Sequence, residues 1–465
     1  MSDRRAAPVL IAVALPLVVL SIDFSGVAVA LPRIGDELGV SSAATGWVIN
    51  AFALGAAGPL LVSGRIADRF GRRRMLLIGV GLFCAGTLGA AIAPSFVALV
   101  LARVVQGLAT SLFMTASLST VSTTFAGERR AWAIGMWSAI GSTAAAAAPV
   151  VGGLVVDGLG WRWFFALNVP LLLLAFAMII REIPETYGDR QPIDVTGAVL
   201  ATVAVTLMVY GFQEAGTQGW RDTAVVASVG LGALTLVAFV TQQRRAPHPL
   251  IDAAISRARA YRPPVVVAFL ANWGFGAINI VLTFWLQDVR GLSAAWTGVV
   301  FMAYSVPFAI MGALTGRVVR LGGSRLPMAA GMVLVSLSFV LLTTLGANSA
   351  MWIVLVAMML SGIGQGLAYN VSTTAAMAAV PDEDAGVASG LLTALRNVGV
   401  AAGVAVATLA TASPEGTGSA AAAADFSAGI SGGAWVIAAV SLLGAAVALR
   451  AAPRGASKRT AVAAP

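Results

Sequence analysis

The sequence has almost none of the residues on which catalytic and metal sites depend. It contains one cysteine, Cys84, and one histidine, His248, and only 11% of its 465 residues are charged. One cysteine excludes a disulfide framework or a cysteine metal site within the chain. The sequence also lacks a Gly-x-x-x-x-Gly-Lys-Ser/Thr phosphate-binding loop, which argues against an ATP-driven pump. We therefore expect a protein that is not an enzyme and binds no metal or other cofactor.

Hydrophobic residues, by contrast, are abundant. They make up 58% of the chain, and the mean hydropathy is +0.89. So little polar surface cannot cover a water-soluble core of this length. At about 20 residues per crossing, the apolar runs predict fourteen membrane helices, from residues 8–31 to 432–450. The first run is too long for a signal-peptide core, so we expect it to be retained. The predicted fold class is an all-α polytopic membrane protein.

The basic residues predict the orientation of these helices. The net charge is +9, which in a soluble protein would suggest a nucleic-acid partner, but here the charge lies in loops between apolar runs. With the N-terminus inside, 23 of the 29 basic residues fall in the cytoplasm. Four fall outside, and two lie within helices. We therefore expect a multi-pass protein of the inner (cytoplasmic) membrane with both termini in the cytoplasm and no nucleic-acid partner.

The two ends of the chain are weak copies of each other. Residues 36–46 align with residues 288–298 at an offset of 252, with six identities in eleven positions. Parallel repeats of this kind place a substrate path between the two units, near the membrane midplane. The repeat predicts an N-terminal six-helix bundle (1–185), inserted transmembrane helices 7 and 8 (186–245), a cytoplasmic linker (246–262), a C-terminal six-helix bundle (263–452) and a cytoplasmic tail (453–465).

A strongly basic segment, residues 64–75, separates the second and third apolar runs. We expect a short hairpin loop in which Gly64 and Gly71 permit the turn. Asp68 in this loop can accept hydrogen bonds from backbone N–H groups at the start of the next helix or from nearby arginines. It then either holds the cytoplasmic side closed or acts as an ordinary helix cap.

Three charges lie inside the predicted spans, where a charge is costly and usually faces a cavity or a partner. Asp23 and Arg103 lie roughly 12 and 13 Å from the outer ends of their helices, so the two can meet at one depth. They form either a proton-sensitive pair or a structural ion pair. Arg396 either contacts an anionic substrate group or extends toward the cytoplasm and braces its helix end.

Polar and aromatic side chains inside the apolar runs are candidates to line a substrate cavity. Aromatic rings stack on planar or cationic compounds, and asparagines supply adaptable hydrogen bonds. For any one aromatic taken alone, lipid contact or packing is a more common role than ligand contact. The predicted substrate-binding set is Trp47, Asn50, Phe113, Trp137, Asn272, Trp273, Asn279, Tyr304, Tyr369, Asn370 and Arg396, and Trp285 and Phe308 share the same character.

Several motifs carry a resemblance to a known family. Residues 64–73 resemble the signature loop of the major facilitator superfamily, and residues 103–107 resemble its fourth-helix motif. Further motifs at 22–23, 30–32, 161–165 and 168–170 are similar to the fourteen-helix drug:proton antiporters of the EmrB/QacA type. The resemblance covers most of residues 8–450. It implies the major facilitator fold, with two six-helix bundles plus two inserted helices.

The resemblance also implies a function and a set of residues. The expected function is proton-coupled export of hydrophobic, cationic or amphipathic drugs by alternating access, hence antibiotic resistance. The alternative is an importer or a dedicated metabolite or antibiotic exporter on the same fold. The partners are a small-molecule substrate, protons and the bilayer, and the expected active unit is a monomer. The implied residues are Asp23 and Arg103 for proton coupling, Gly64, Asp68, Arg69, Gly71, Arg72 and Arg73 for a cytoplasmic gate, and Pro149, Gly152 and Gly153 for an exporter motif.

One departure from the family pattern lies in this exporter motif. The family usually has glycines where this chain has Ala144 and Ala148, which precede Pro149. Small residues still permit close helix contact, so export remains the expected direction.

Overall fold

The computed structural model describes residues 3–125, 128–188, 194–219, 221–247, 249, 259–346, 348–380, 385–411 and 419–450. The regular secondary structure in these ranges is helical. The first half of the chain contains α1 (Asp3–Gly26), α2 (Leu31–Leu38), α3 (Ser42–Phe70), α4 (Arg72–Ala91), α5 (Phe96–Thr124), α6 (Glu128–Leu159), α7 (Trp161–Ala166) and α8 (Asn168–Glu182).

Two helices lie between the two halves in the sequence, and six long helices follow. We call α9 (Val195–Gln218) and α10 (Thr223–Arg245) the inserted pair. The second half contains α11 (Arg262–Phe284), α12 (Ala294–Gly322), α13 (Arg325–Leu342), α14 (Met351–Met377), α15 (Ala385–Thr411) and α16 (Ser419–Leu449). A 3-10 turn, Val27–Ala30, joins α1 to α2, and a π turn, Trp285–Val289, follows α11.

The helices are those of a multi-pass membrane protein. By length and composition, the described residues form 11 helices able to cross a membrane. In α3, α6 and α15 the apolar stretches are shorter than the length counted as a membrane crossing. These stretches are residues 44–56, 147–159 and 391–407. The sequence prediction of fourteen crossings therefore exceeds the number that length and composition assign in the described residues.

The internal repeat is visible in local structure. Ser41 caps α3 by accepting a hydrogen bond from the Ala44 N–H, and Ser293 caps α12 by accepting one from Trp296, both at 3.3 Å. These serines are 252 residues apart, which is the offset of the sequence repeat. The same side-chain chemistry thus starts equivalent helices in the two halves.

The connection within the basic segment at residues 64–75 is shorter than the hairpin loop predicted from the sequence. Helix α3 continues to Phe70 and α4 begins at Arg72, so Gly71 alone connects them. Its φ of 106° is a conformation that favours glycine. Gly64 lies inside α3 with open space beside it and makes no turn. The prediction that both glycines form the hairpin was therefore wrong for Gly64.

The bundle has an arginine-rich end and an opposite end. At the arginine-rich end, arginines occupy the last turns of α3, α8, α10 and α12 and the first residues of α4, α11 and α13: Arg69, Arg181, Arg244, Arg245, Arg320, Arg72, Arg262 and Arg325. At the opposite end, one hydrophobic core takes residues from both halves, including Leu31, Phe165, Trp285 and Phe339. The other large clusters of described residues each lie within one half. The halves are therefore joined by a shared core at the end opposite the arginines.

The inserted pair does not stand apart from the two halves. Helix α9 packs on α10 and also on α3 of the first half and α15 of the second, which pack on each other. The Trp47 and Tyr210 rings, from α3 and α9, lie 5.9 Å apart. Helix α9 thus covers the seam between α3 and α15.

Candidate functional site

A cavity of about 570 Å³ lies between the two halves. Helices α1, α5 and α6 line it from one side, and α11, α12, α14 and α15 line it from the other. Its lining extends toward the arginine-rich end as far as Thr315 and Thr374, close to the ends of α12 and α14. At the opposite end the shared hydrophobic core closes the space between the halves. The volume is in the range of pockets that bind drug-sized molecules.

Seven of the eleven predicted substrate-binding residues line this cavity. Asn272 and Asn279 lie on α11 and Tyr304 on α12, and their side chains are almost fully buried. The complete set is Trp137, Asn272, Asn279, Tyr304, Tyr369, Asn370 and Arg396, and Phe308 and Pro149 join them in the wall.

The other four predicted residues are not in the lining. Trp47 packs toward the inserted α9, and the Phe113 ring lies edge-on to Phe83 at 5.4 Å in the core of the first half. Trp273 lies against Phe269, with ring centroids 6.1 Å apart, and Asn50 is completely buried. In a membrane helix both the lipid-facing and the core-facing sides are apolar, so composition alone does not tell which side faces a cavity.

Several lining residues were missed by the sequence analysis. A helical pattern could have found some of them: Asn272, Phe275 and Asn279 follow one face of α11 at spacings of three and four. The missed residues are Leu17, Ser21, Phe24, Ser25, Met114, Gly141, Ala145, Phe275, Phe301, Ser305, Gly312, Thr315, Gln365, Thr373, Thr374, Thr393, Asn397 and Val400, and seven of these 18 are serines or threonines.

Asp23 and Arg103 form a fully buried ion pair between α1 and α5. Both residues have 0% relative exposure, and the Arg103 Nη1 donates to Asp23 Oδ2. Nη1 also donates to Gln106 Oε1 at 2.8 Å, and Nε donates to the Val48 carbonyl oxygen at 2.9 Å. The Gln106 amide donates to Thr87 Oγ1 at 2.9 Å. Such a network compensates part of the desolvation cost of the two charges.

Aromatic rings separate this ion pair from the cavity. Neither Asp23 nor Arg103 is among the described lining residues, whereas Phe24 is. The Arg103 guanidinium lies over the Phe52 ring at 4.7 Å, and that ring is 5.8 Å from Phe24. A change at the cavity wall can therefore reach the ion pair through two neighbouring side chains.

From Phe24 a row of rings crosses the cavity wall from the first half into the second. We call Phe24, Phe275, Tyr304, Phe308 and Tyr369 the aromatic row. Consecutive centroids are 6.0, 5.9, 5.9 and 5.8 Å apart, and the Phe24–Phe275 and Tyr304–Phe308 planes are nearly parallel, at 13° and 17°. The row offers a long apolar surface for a planar molecule.

Arg396 lies at the far end of this row. Its guanidinium is 3.7 Å from the centre of the Tyr369 ring, and Nη2 donates to the Tyr369 carbonyl oxygen at 2.9 Å and to Thr373 Oγ1. The residue is 6% exposed and lies 11 positions after Ala385, where α15 begins. The structure thus places Arg396 in the cavity wall rather than at a helix end.

At the arginine-rich end, Asp68 and Glu185 hold the connection between α3 and α4. The Asp68 carboxylate accepts from Arg72, with Oδ1 2.9 Å from Nε and 2.7 Å from Nη2. The N–H groups of Arg73 and Arg74 donate instead to the Glu185 carboxylate, at 3.0 and 3.1 Å. Glu185 therefore caps the start of α4, and the helix-cap alternative for Asp68 was wrong.

Glu185 was missed because it lies far away in sequence, in the segment that follows α8. The same segment donates the Gly188 N–H to the Asp68 carbonyl oxygen at 3.0 Å, and its Thr186 carbonyl accepts from the Arg72 N–H at 2.9 Å. Arg73 reaches the Ile180 carbonyl at 2.6 Å, while Arg69 is exposed. No local pattern in the sequence predicts contacts across this separation.

Pro149, Gly152 and Gly153 lie where α6 meets both α1 and α12. A Cβ on Gly152 would come 2.9 Å from the Gly26 carbonyl oxygen, and one on Gly153 would come 2.3 Å from the Ala294 carbonyl oxygen. Near the end of α6, the Asp157 carboxylate accepts from the Ala294 and Ala295 N–H groups at 3.1 and 2.7 Å. This contact joins the two halves at the end opposite the arginines.

The sequence matches the family model of the Major Facilitator Superfamily over residues 13–404 and again over 265–464. It is 34% identical to the multidrug resistance protein Stp of Mycobacterium tuberculosis (strain CDC 1551 / Oshkosh), over 87% of this chain and 75% of that one. It is 31% identical to the tetracenomycin C resistance and export protein of Streptomyces glaucescens, with 86% and 75% covered. It is also 31% identical to the methyl viologen resistance protein SmvA of Salmonella typhimurium (strain 14028s / SGSC 2262), with 85% and 81% covered.

The fold is similar to that of solved transporters. The crystal structure of the peptide transporter POT in complex with sulfate superimposes with a TM-score of 0.70 over 96% of this chain and 95% of that one, at 18% identity. The human organic anion transporter MFSD10 superimposes with a TM-score of 0.62 at 15% identity, over 96% of this chain and 100% of that one. At these identities the comparison concerns the fold alone.

Proposed function

This chain belongs to the Major Facilitator Superfamily, and we propose that it exports hydrophobic, amphipathic drugs from the cytoplasm in exchange for protons. Its named relatives are multidrug resistance and export proteins, which places it among efflux transporters rather than enzymes. The observation that carries the proposal is the cavity between the halves, which is closed at one end and whose lining residue Phe24 lies next to the Phe52 ring that contacts a buried Asp–Arg pair.

The proposed topology places the arginine-rich end in the cytoplasm. Arginines next to membrane helices favour the cytoplasmic side, and this end carries them on seven helices. We further propose that α3, α6 and α15 also cross the bilayer, which gives the fourteen crossings of the EmrB/QacA type. Both termini then lie in the cytoplasm of a protein that works as a monomer in the inner membrane.

In the proposed cycle the two halves rock about the cavity. With the arginine-rich end in the cytoplasm, the cavity would be inward-facing, because its lining extends toward that end and the shared core fills the opposite end. Outward opening requires the shared core and the Asp157 contact with α12 to separate. Release of the substrate outside would then be followed by binding of a proton on the same side.

Asp23 is the proposed proton carrier. A proton that binds Asp23 removes the charge attraction to Arg103 and leaves the guanidinium with Val48, Gln106 and the Phe52 ring. Since Phe24 follows Asp23 on α1 and lines the cavity, a bound substrate and a protonated Asp23 act on the same stretch of helix. This proximity supports exchange of one ligand for the other.

The arginine-rich connection is the proposed cytoplasmic gate, with Gly64, Asp68, Arg69, Gly71, Arg72 and Arg73 as its residues. The Asp68–Arg72 pair and the Glu185 cap hold this connection rigid. A rigid connection lets α3 and α4 move as one unit when the halves rock.

Vesicles test the proposed function. Inside-out vesicles that contain the protein should accumulate hydrophobic fluorescent dyes when their lumen is acidic, and a protonophore should stop the accumulation. The panel should include neutral, anionic and cationic dyes. Absence of gradient-dependent accumulation for every dye, with the protein correctly inserted, would contradict export. Accumulation only in right-side-out vesicles would instead support an importer.

Substitution of Asp68 tests the gate. Asp68→Asn should lower the initial rate of dye accumulation about tenfold, because a charge-assisted hydrogen bond to Arg72 contributes roughly 1.5–3 kcal/mol. The repeat has Arg320 at the equivalent position, with no carboxylate to lose, so Arg320→Ala should have a much smaller effect. Equal loss of rate in both variants at equal expression would remove the special role of Asp68.

A further inference from the structure

The charge of the cavity wall points to the class of substrate. Among the described lining residues, Arg396 is the only charged side chain. Asp23 and Arg103 lie outside the lining and form an ion pair with each other. The described part of the wall therefore carries a positive charge that no carboxylate in the described lining balances. A guanidinium keeps its proton in proteins, so this charge is permanent.

The wall also contains buried donors that lack an acceptor. Arg396 Nε and the Tyr304 hydroxyl oxygen are both buried and have no hydrogen-bond partner within the part of the chain that the structure describes. Arg396 can only donate, and a buried donor without an acceptor costs free energy. A ligand that brings an acceptor oxygen would remove this cost.

The Arg396 side chain is already fixed in place. Contacts with the Tyr369 ring, the Tyr369 carbonyl oxygen and Thr373 hold the guanidinium before any ligand binds. A fixed donor loses little side-chain entropy when it binds an acceptor. The aromatic row leads directly to this group, since Tyr369 is its last member and Phe308 lies 5.8 Å before it.

We propose that the cavity binds planar aromatic compounds that carry an anionic oxygen, such as a carboxylate or a phenolate. The oxygen binds Arg396, and the ring system lies along the aromatic row within reach of the Tyr304 hydroxyl. This inference rests on the proposed export function and names its substrate class. From the sequence, cationic or amphipathic drugs were expected; the positive charge of the described lining favours a substrate with a negative charge.

Three matched probes test the charge preference. Anthracene-9-carboxylate, 9-anthracenemethanol and 9-anthracenemethylammonium share one ring system and differ in charge. Their dissociation constants are measured by equilibrium dialysis against the full chain in lipid nanodiscs of zwitterionic lipid. The wild-type protein should bind the carboxylate about tenfold or more tighter than the ammonium compound, with the alcohol between them.

Variants assign the preference to Arg396. In Arg396→Gln the carboxylate should bind about tenfold or more weakly, and its advantage over the ammonium compound should disappear. Tyr304→Phe removes only the hydroxyl and should weaken carboxylate binding about threefold. Arg317→Gln makes the same charge change on an exposed part of α12 outside the cavity and should leave the three constants as in wild type.

Each outcome decides the inference. It is overturned if the ammonium compound binds as tightly as the carboxylate, if none of the probes binds the wild type, or if folded Arg396→Gln retains the preference. If Arg396→Gln fails to fold, unchanged carboxylate binding in Tyr304→Phe overturns the placement of the ligand. The binding site and the export function can be rejected independently of each other. Arg396-dependent binding of the carboxylate without gradient-driven movement of any dye would reject export but would still support this binding site.

Discussion

Asp23→Asn should reduce proton-driven efflux to the background of empty vesicles. Asparagine keeps the size of the side chain and can still accept from Arg103, but it cannot carry a proton. Arg103 would keep its bonds to Val48 and Gln106, so the bundle should still form. Substrate counterflow, which needs no proton, should continue in this variant. The measurement is dye accumulation with and without an acidic lumen, beside exchange of labelled for unlabelled dye.

The matched control for this change is Asp222→Asn. Asp222 caps α10 by accepting from the Ala224 N–H at 2.8 Å, far from the cavity. The Asp222→Asn variant should therefore transport as the wild-type protein does. Persisting gradient-driven accumulation in Asp23→Asn would reject Asp23 as the proton carrier. Loss of counterflow as well as accumulation would show that Asp23 supports the structure of the bundle instead.

Gly298→Ala should also remove most transport, for a steric reason. A Cβ on Gly298 would lie 2.1 Å from the carbonyl oxygen of Pro149, and a backbone carbonyl cannot rotate away as a side chain can. Helices α6 and α12 would have to separate at the sealed end, at a cost of about 1–3 kcal/mol for overpacking. We expect the dye accumulation rate to fall at least about tenfold and the outward-open population to rise.

Cysteine labelling measures the change in the outward-open population separately from the change in transport rate. Ser305 lines the cavity, so Ser305→Cys in a Cys84→Ser background reports which side reaches the cavity. Gly298→Ala should increase labelling by a membrane-impermeant thiol reagent added outside. The control is Gly316→Ala on the same helix, where a Cβ meets nothing within 4 Å. If both variants transport and label alike, the close approach of Gly298 to Pro149 does not control the seal.

The positions of the buried charges were more predictable from the sequence than the residues of the cavity wall. Asp23 and Arg103 could be placed at one depth because helix rise converts residue counts into distance and because charges are rare in apolar runs. Helix rise does not tell in which direction a side chain points around its helix. Trp47 and Phe113 face another helix rather than the cavity, and in a membrane helix no polar stripe marks the difference.

The contacts of the connection at the arginine-rich end were likewise only partly predictable from the sequence. The motif predicted a tight connection and an important Asp68, and Gly71 indeed makes the turn. The cap of α4 comes from Glu185, more than 100 residues later, because α8 returns to the same end of the bundle. The repeat was readable from spacing, whereas long-range contacts depend on how the helices are arranged around each other.

The position of α9 has a consequence for any movement of the halves. This helix contacts α3 in the first half and α15 in the second. When the two halves tilt relative to each other, α9 cannot keep its packing on both, so it must slide along at least one partner. In the proposed rocking cycle the protein would therefore move as three bodies, and the surface on which the inserted pair slides would contribute to the rate of transport.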